Sequence, residues 1–149
     1  MNIFLDVIRN HYADFTGRAR RREYWIYTLV YSVIMLVLSL PFLASLPAIM
    51  AAQNDGATPE MSPLLMLSVI LMSLFGLATF VPSLALTVRR LHDTGRSGWW
   101  YLISFIPYVG GLVLLIFMLL DSQAGANKWG PNPKTGAALS PSQVSQNNW

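Results

Sequence analysis

Residues 24–54 read YWIYTLVYSVIMLVLSLPFLASLPAIMAAQN, 31 consecutive positions without a single Asp, Glu, Lys or Arg. Residues 61–88, MSPLLMLSVILMSLFGLATFVPSLALTV, repeat the pattern over 28 positions, and residues 97–120, SGWWYLISFIPYVGGLVLLIFMLL, over 24. A helix rises about 1.5 Å per residue, so about 20 apolar residues cross the roughly 30 Å hydrocarbon core of a bilayer. All 17 charges of the 149-residue chain fall in the other 66 positions. Over the whole chain the charged fraction is 11%, against about 25% in soluble domains. Such a distribution excludes a soluble globular domain, a disordered polypeptide and a nucleic-acid binder with a basic folded surface. It predicts an all-α integral membrane protein with two transmembrane helices, at about 25–49 and 64–88, and a third, Pro/Gly-broken apolar segment at 99–120.

The stretches around these runs complete a single membrane domain over residues 1–134. Residues 2–15 carry Ile3, Phe4, Val7, Ile8, Tyr12 and Phe15 at helical spacing opposite Asn2, Asp6, Arg9 and Asn10, the pattern of a short amphipathic helix. Too short to span, it either lies in the membrane interface or packs on the bundle. Pro41 and Pro47 kink the first span or end its regular part, and residues 51–63 read as a polar loop. Residues 89–98 read as a compact loop. The third segment is interrupted by Ile106, Pro107, Gly110 and Gly111, so it is either one kinked crossing or two halves that enter and return on the same side. Residues 135–149, rich in Ser, Asn and Gln, are expected to be disordered. The first apolar run is longer than the 7–15 residues of a signal peptide core, which makes it a retained anchor.

Orientation follows from the basic residues. Five of the ten Lys and Arg precede the first span, none lies in 51–63, three lie in 89–98 and two follow the third segment. The positive-inside rule puts the N terminus and residues 89–98 in the cytoplasm and the 51–63 loop outside. A re-entrant third segment would hold all ten basic residues inside, so the charge count favours it, whereas uninterrupted length favours a crossing.

Three charged stretches carry the chemistry. They are GRARRREYW at 17–25, RRLHDTGRSGWW at 89–100 and GANKWGPNP at 125–133. In order and spacing they resemble the domain of unknown function 805 family, the YhaH-like small bacterial inner-membrane proteins, over about residues 2 to 134. Trp129 stands where the family pattern leads one to expect Tyr or Phe. The resemblance implies a bacterial inner-membrane location and supplies no reaction.

From the residues alone, two readings of these stretches stand side by side. Arg18, Arg21, Arg22, Arg89, Arg90 and Arg96 at one membrane face would attract an anion, with phosphate favoured because guanidinium binds it bidentately. Arg20, Glu23, His92 and Asp93 would form a structural network of ion pairs and hydrogen bonds, Arg20 and Glu23 being spaced for a helical pair. In the plainer reading the arginines only set topology, and Trp25, Trp99, Trp100 and Trp129 anchor the span ends in the headgroup layer. No catalytic residue is assigned, although His92 beside Asp93 would serve as acid and base in a lipid-headgroup enzyme. There is no Cys, no metal-ligand spacing, no cofactor fingerprint and no ionisable residue within any apolar run. The leading expectation is a non-enzymatic membrane scaffold or accessory subunit that self-associates or joins a larger membrane partner. Its rival is binding or transport of an anionic lipid or amphiphile at the arginine-rich face. No nucleic-acid partner is expected.

Overall fold

A computed structural model describes residues 3–56, 58 and 62–134, and the tail expected to be disordered lies outside the described residues. Among the described residues there are four α-helices and one 3-10 helix: α1 (Ile3–Asn10), α2 (Arg21–Asn54), α3 (Pro63–Asp93), the 3-10 helix Gly98–Phe105 and α4 (Val109–Leu119). The early part of α2 lies beside the late part of α3, so the pair is antiparallel. Tyr27 and Ser83 share a hydroxyl hydrogen bond of 2.8 Å, and the rings of Tyr31 and Phe75 stack at 5.6 Å.

Both long helices overrun their apolar sequences. α2 continues through Pro41 and Pro47 to Asn54, so residues 51–54 are helical and the loop begins at Asp55. Ser62 caps α3, its hydroxyl accepting from the Leu65 amide at 3.2 Å with Pro63 in the first turn. α3 then absorbs residues 89–93, which the sequence reads as loop. It stops where Gly95 turns left-handed at φ +79°, with the Gly95 amide on the His92 carbonyl and the Arg96 amide on that of Leu91. This is the paired carbonyl capping of a Schellman motif. A Cβ at Gly95 would also lie 2.5 Å from Oε1 of Gln123, so the tail closes over the turn.

The long helices cannot be the core of a soluble fold. In the most apolar stretch of α2 no residue is buried, and in that of α3 only 17% are. Leu29, Leu36, Leu77 and Phe80 all stand more than half exposed. So continuous an apolar belt is tolerated only against lipid or another apolar surface.

α1 ends at Asn10, short of the 2–15 expected, and packs on the bundle. Val7 is buried with Ala19, Tyr27 and Leu86, and the Phe4 ring stacks on Tyr27 at 5.1 Å. The turn that follows is held by Asp14, whose carboxylate accepts from the Thr16 hydroxyl at 2.6 Å and the Thr16 amide at 3.0 Å. These bonds, the hydroxyl first, hold the Asp14 pKa down to about 2. Tyr12 then reaches α3, its hydroxyl donating to the Ala78 carbonyl at 2.8 Å. That carbonyl sits four residues before Pro82, the position from which a proline removes the helical donor. The N-terminal segment thus supplies the partner that Pro82 withholds.

The third segment folds back on itself. Residues 98–105 wind as a 3-10 helix, Tyr108 takes φ +65° at a fully exposed tip, and α4 returns. Trp100 meets Phe117 edge-on at 5.6 Å, with the Arg96 guanidinium 4.0 Å from the centre of the same ring. The two ends of the segment therefore lie together. Gly110 makes the return possible, because a Cβ there would sit 1.8 Å from the Ile103 carbonyl oxygen.

Two outcomes test this packing. Tyr12→Phe leaves the Ala78 carbonyl without its donor and should cost about 0.5–1.5 kcal/mol, read by thermal unfolding in detergent, with faster amide exchange over residues 3–17. Gly110→Ala drives a methyl into backbone and should cost about 3 kcal/mol or more, seen as loss of folded protein. Gly111→Ala, whose Cβ would meet open space, should be tolerated.

Candidate functional site

Asp93 ends α3, fully buried, and no ionised carboxylate is stable there without donors. Three segments supply them. Arg18, from the turn before α2, donates through Nε to Oδ1 at 3.0 Å. Arg90, one turn back on α3, donates to Oδ2, and the Ser122 hydroxyl donates to the same oxygen at 2.6 Å. The Asp93 carbonyl accepts from the Gln123 amide at 2.8 Å and from Arg18 at 3.3 Å.

Two buried guanidinium groups against one carboxylate leave a net positive charge. Backbone carbonyls take it up. Arg18 also donates to the carbonyls of Gln123 at 2.7 Å, Gly125 at 2.8 Å and Gly130 at 3.4 Å. Arg90 donates to the Met118 carbonyl at 3.2 Å and to that of Leu120, at the end of α4. Those carbonyls lack helical donors, and the negative end of the helix dipole favours a cation there.

His92 closes the neighbouring side. Its ring stacks on Trp129 at 4.5 Å and 11° between planes, and its Nδ1 lies 3.3 Å from the Gly17 carbonyl oxygen. Asn127 donates to the His92 carbonyl at 2.9 Å, and Asn132 to the Gln123 carbonyl at 3.1 Å. The stretches at 17–25, 89–100 and 125–133 therefore interlock around Asp93.

This geometry redistributes the residues singled out by sequence. Arg18 and Arg90, grouped there as anion ligands, are held by Asp93 and by backbone carbonyls of α4 and the tail. Arg20 and Glu23 do not form the ion pair their spacing offers. Arg20 is the residue before α2, extended at φ −68° and ψ 152°, so helical i, i+3 geometry does not apply to it. Trp129 packs its ring on His92, with the Lys128 ammonium 4.4 Å above it. Trp25 lies edge-on to Tyr24 at 5.6 Å, Trp99 is 78% exposed and Trp100 packs on Phe117. Arg96 covers Phe117 and donates to the Thr94 carbonyl at 3.1 Å. Arg21 and Arg22 stand exposed in the first turn of α2.

A second feature lies on the other face of Arg18. A cleft of about 300 Å³ between α1, the start of α2 and the end of α3 is lined by Arg20, Arg22 and Arg89 together with Asp6, His11 and Glu23. Among the described residues no His, Asp or Glu group converges as a metal cage requires. Ser122 and Gln123 carry no sequence signal beyond polar composition, Asn127 and Asn132 lie in the 125–133 stretch without being singled out within it, and Asp6 reads only as the polar side of α1.

The network predicts an order of damage. Asp93→Asn leaves two buried cations without a counter-charge and should destabilise by about 3–5 kcal/mol. Arg18→Gln leaves the Asp93–Arg90 pair neutral and should cost less, while freeing the tail to proteolysis after residue 120. Thermal unfolding in detergent, with limited proteolysis, reads both.

Comparison with known proteins followed from these motifs. A family model described as "Protein of unknown function (DUF805)" matches residues 12–131. The inner membrane protein YhaI of Escherichia coli (strain K12) is 39% identical over 146 residues, covering 92% of this chain and 99% of the relative. The inner membrane protein YhaH of the same strain is 37% identical over 134 residues, covering 90% of this chain and 98% of the relative. No solved structure matches.

Proposed function

The chain belongs to the DUF805 family, and on that footing we propose that it is a non-enzymatic scaffold or accessory subunit of the bacterial inner membrane. The observation that carries this reading is the closure of the Asp93 network. Asp93 is 0% exposed with both carboxylate oxygens accepting, and His92 is covered by Trp129. An acid–base pair must reach a substrate proton to work, and here the Asp93 carboxylate is taken by Arg18, Arg90 and Ser122 while the His92 ring packs on Trp129 and meets the Gly17 carbonyl. A lipid-headgroup enzyme using His92 and Asp93 is correspondingly disfavoured.

The membrane arrangement that fits is two crossings, α2 and α3, and a re-entrant third segment. Supporting it, Arg18, Asp93 and Gln123 bond directly, which joins the ends of all basic stretches at one side. That side would be cytoplasmic, with residues 55–62 outside. The 3-10 helix rises about 2 Å and α4 about 1.5 Å per residue, so each arm is about 16 Å long, half the hydrocarbon core. Self-association or a larger membrane partner would cover part of the exposed belt on α2 and α3.

Two measurements test the reading. A reporter fused after Lys134 should report cytoplasm; a periplasmic signal would contradict the arrangement. Purified protein in nanodiscs should leave the phospholipid masses unchanged over hours. Appearance of a product lacking its headgroup, abolished by His92→Ala in a protein that still folds, would make it an enzyme.

A further inference from the structure

The arginines of the chain fall into two groups. Arg18 and Arg90 are held by Asp93 and backbone carbonyls, whereas Arg20, Arg22 and Arg89 line the cleft of about 300 Å³ beside α1, which Arg18 borders from the network side. The Nε atoms of Arg89 and Arg90 are both sealed from solvent and without a partner among the described residues, and of the two residues Arg89 lines the cleft. A buried donor in that state calls for an acceptor. α2 begins in the same cleft, and its cap residue Arg20 makes no side-chain capping bond. Open amides of a first helical turn, with three guanidinium groups around them, form a phosphate-binding environment.

The cleft is not a plain anion site, because two carboxylates share it. Glu23 is in none of the ion pairs among the described residues, and Asp6 accepts only from Asn10 at 2.7 Å and faces His11 at 3.9 Å. A ligand that is only negative would be repelled by both. One that joins a phosphate to an ammonium matches both signs of charge: the phosphate takes Arg20, Arg22 and Arg89, and the ammonium takes Glu23 and Asp6. A primary ammonium has three donors for those oxygens, and a quaternary one has none. Farther along α2 and α3, a groove of about 180 Å³ lined by Tyr24, Tyr31, Leu86 and Thr87 offers a course for an acyl chain.

We infer that this cleft binds the headgroup of an aminophospholipid, a phosphodiester carrying a primary amine. The cleft adjoins the Asp93 network through Arg18, and the inference holds whether or not the protein acts as a scaffold.

The test is native mass spectrometry of the full chain, stripped of lipid in mild detergent and titrated with dioleoyl phosphatidylethanolamine, phosphatidylglycerol and phosphatidylcholine. The wild type should retain phosphatidylethanolamine about fivefold or more above the other two. Glu23→Gln, in an exposed first turn, should remove that preference while leaving phosphatidylglycerol binding unchanged or stronger. Arg89→Gln should weaken all three. If Arg89→Gln does not fold, judged by its circular dichroism, the preference and its loss in Glu23→Gln decide alone. Equal retention of the three lipids, or phosphatidylglycerol ahead, overturns the inference. Soluble phosphoethanolamine should fail to displace the lipid; displacement at equal concentration would put the ligand in solution and overturn the lipid assignment.

Discussion

A carboxylate with no access to water has to be met by donors, and Asp93 is met from three directions at once. Arg18 comes from before the first long helix, Arg90 from its own helix and Ser122 from beyond the last one. Each of these approaches satisfies part of the buried carboxylate, and losing Asp93 would strand two buried cations, so the ends of the chain's elements are tied to a single point. The excess positive charge then finds the carbonyls left over where α4 stops and where residues 120–130 run without regular structure. Irregular backbone in the tail is thus a working part of the site, since regular structure would have used those carbonyls internally.

That knot explains why the third apolar segment returns. Arg90 reaches carbonyls on both sides of the end of α4, and the Gln123 amide binds the Asp93 carbonyl, so the segment must finish beside the end of α3. The other end of the segment is held there already by the Gly95 turn. Between these fixed ends a chain of this length has to double back, and Gly110 permits the close approach of backbone to backbone that doing so requires.

The same knot divides the polar chemistry. Of the residues that look reactive by composition, Asp93 is covered and saturated and His92 is buried under Trp129, while Arg20, Arg22 and Arg89 line a cleft at the start of α2. In a small membrane bundle with no ionisable residue in its apolar runs, the water boundary is where recognition can occur, and the cleft sits among the charged residues that mark that boundary.

Much of the fold was legible in the residues themselves. Charge-free runs identified α2 and α3, because hydrocarbon excludes ionised groups whatever their neighbours. The alternation of apolar and polar positions identified α1, although Tyr12 and Phe15 extended it past its true end at Asn10. The three charged stretches stood out as the site by order and spacing. Which arginine faces which partner did not. Arg18 and Arg20 are alike in one dimension, yet one is buried against Asp93 and the other stands exposed at the cleft, since the turn after Asp14 and the extended conformation of Arg20 set their directions. The choice between crossing and returning likewise lay beyond composition, as both put the same apolar residues in lipid. Composition determines which solvent a segment can occupy; only contacts between residues distant in sequence determine where its ends meet.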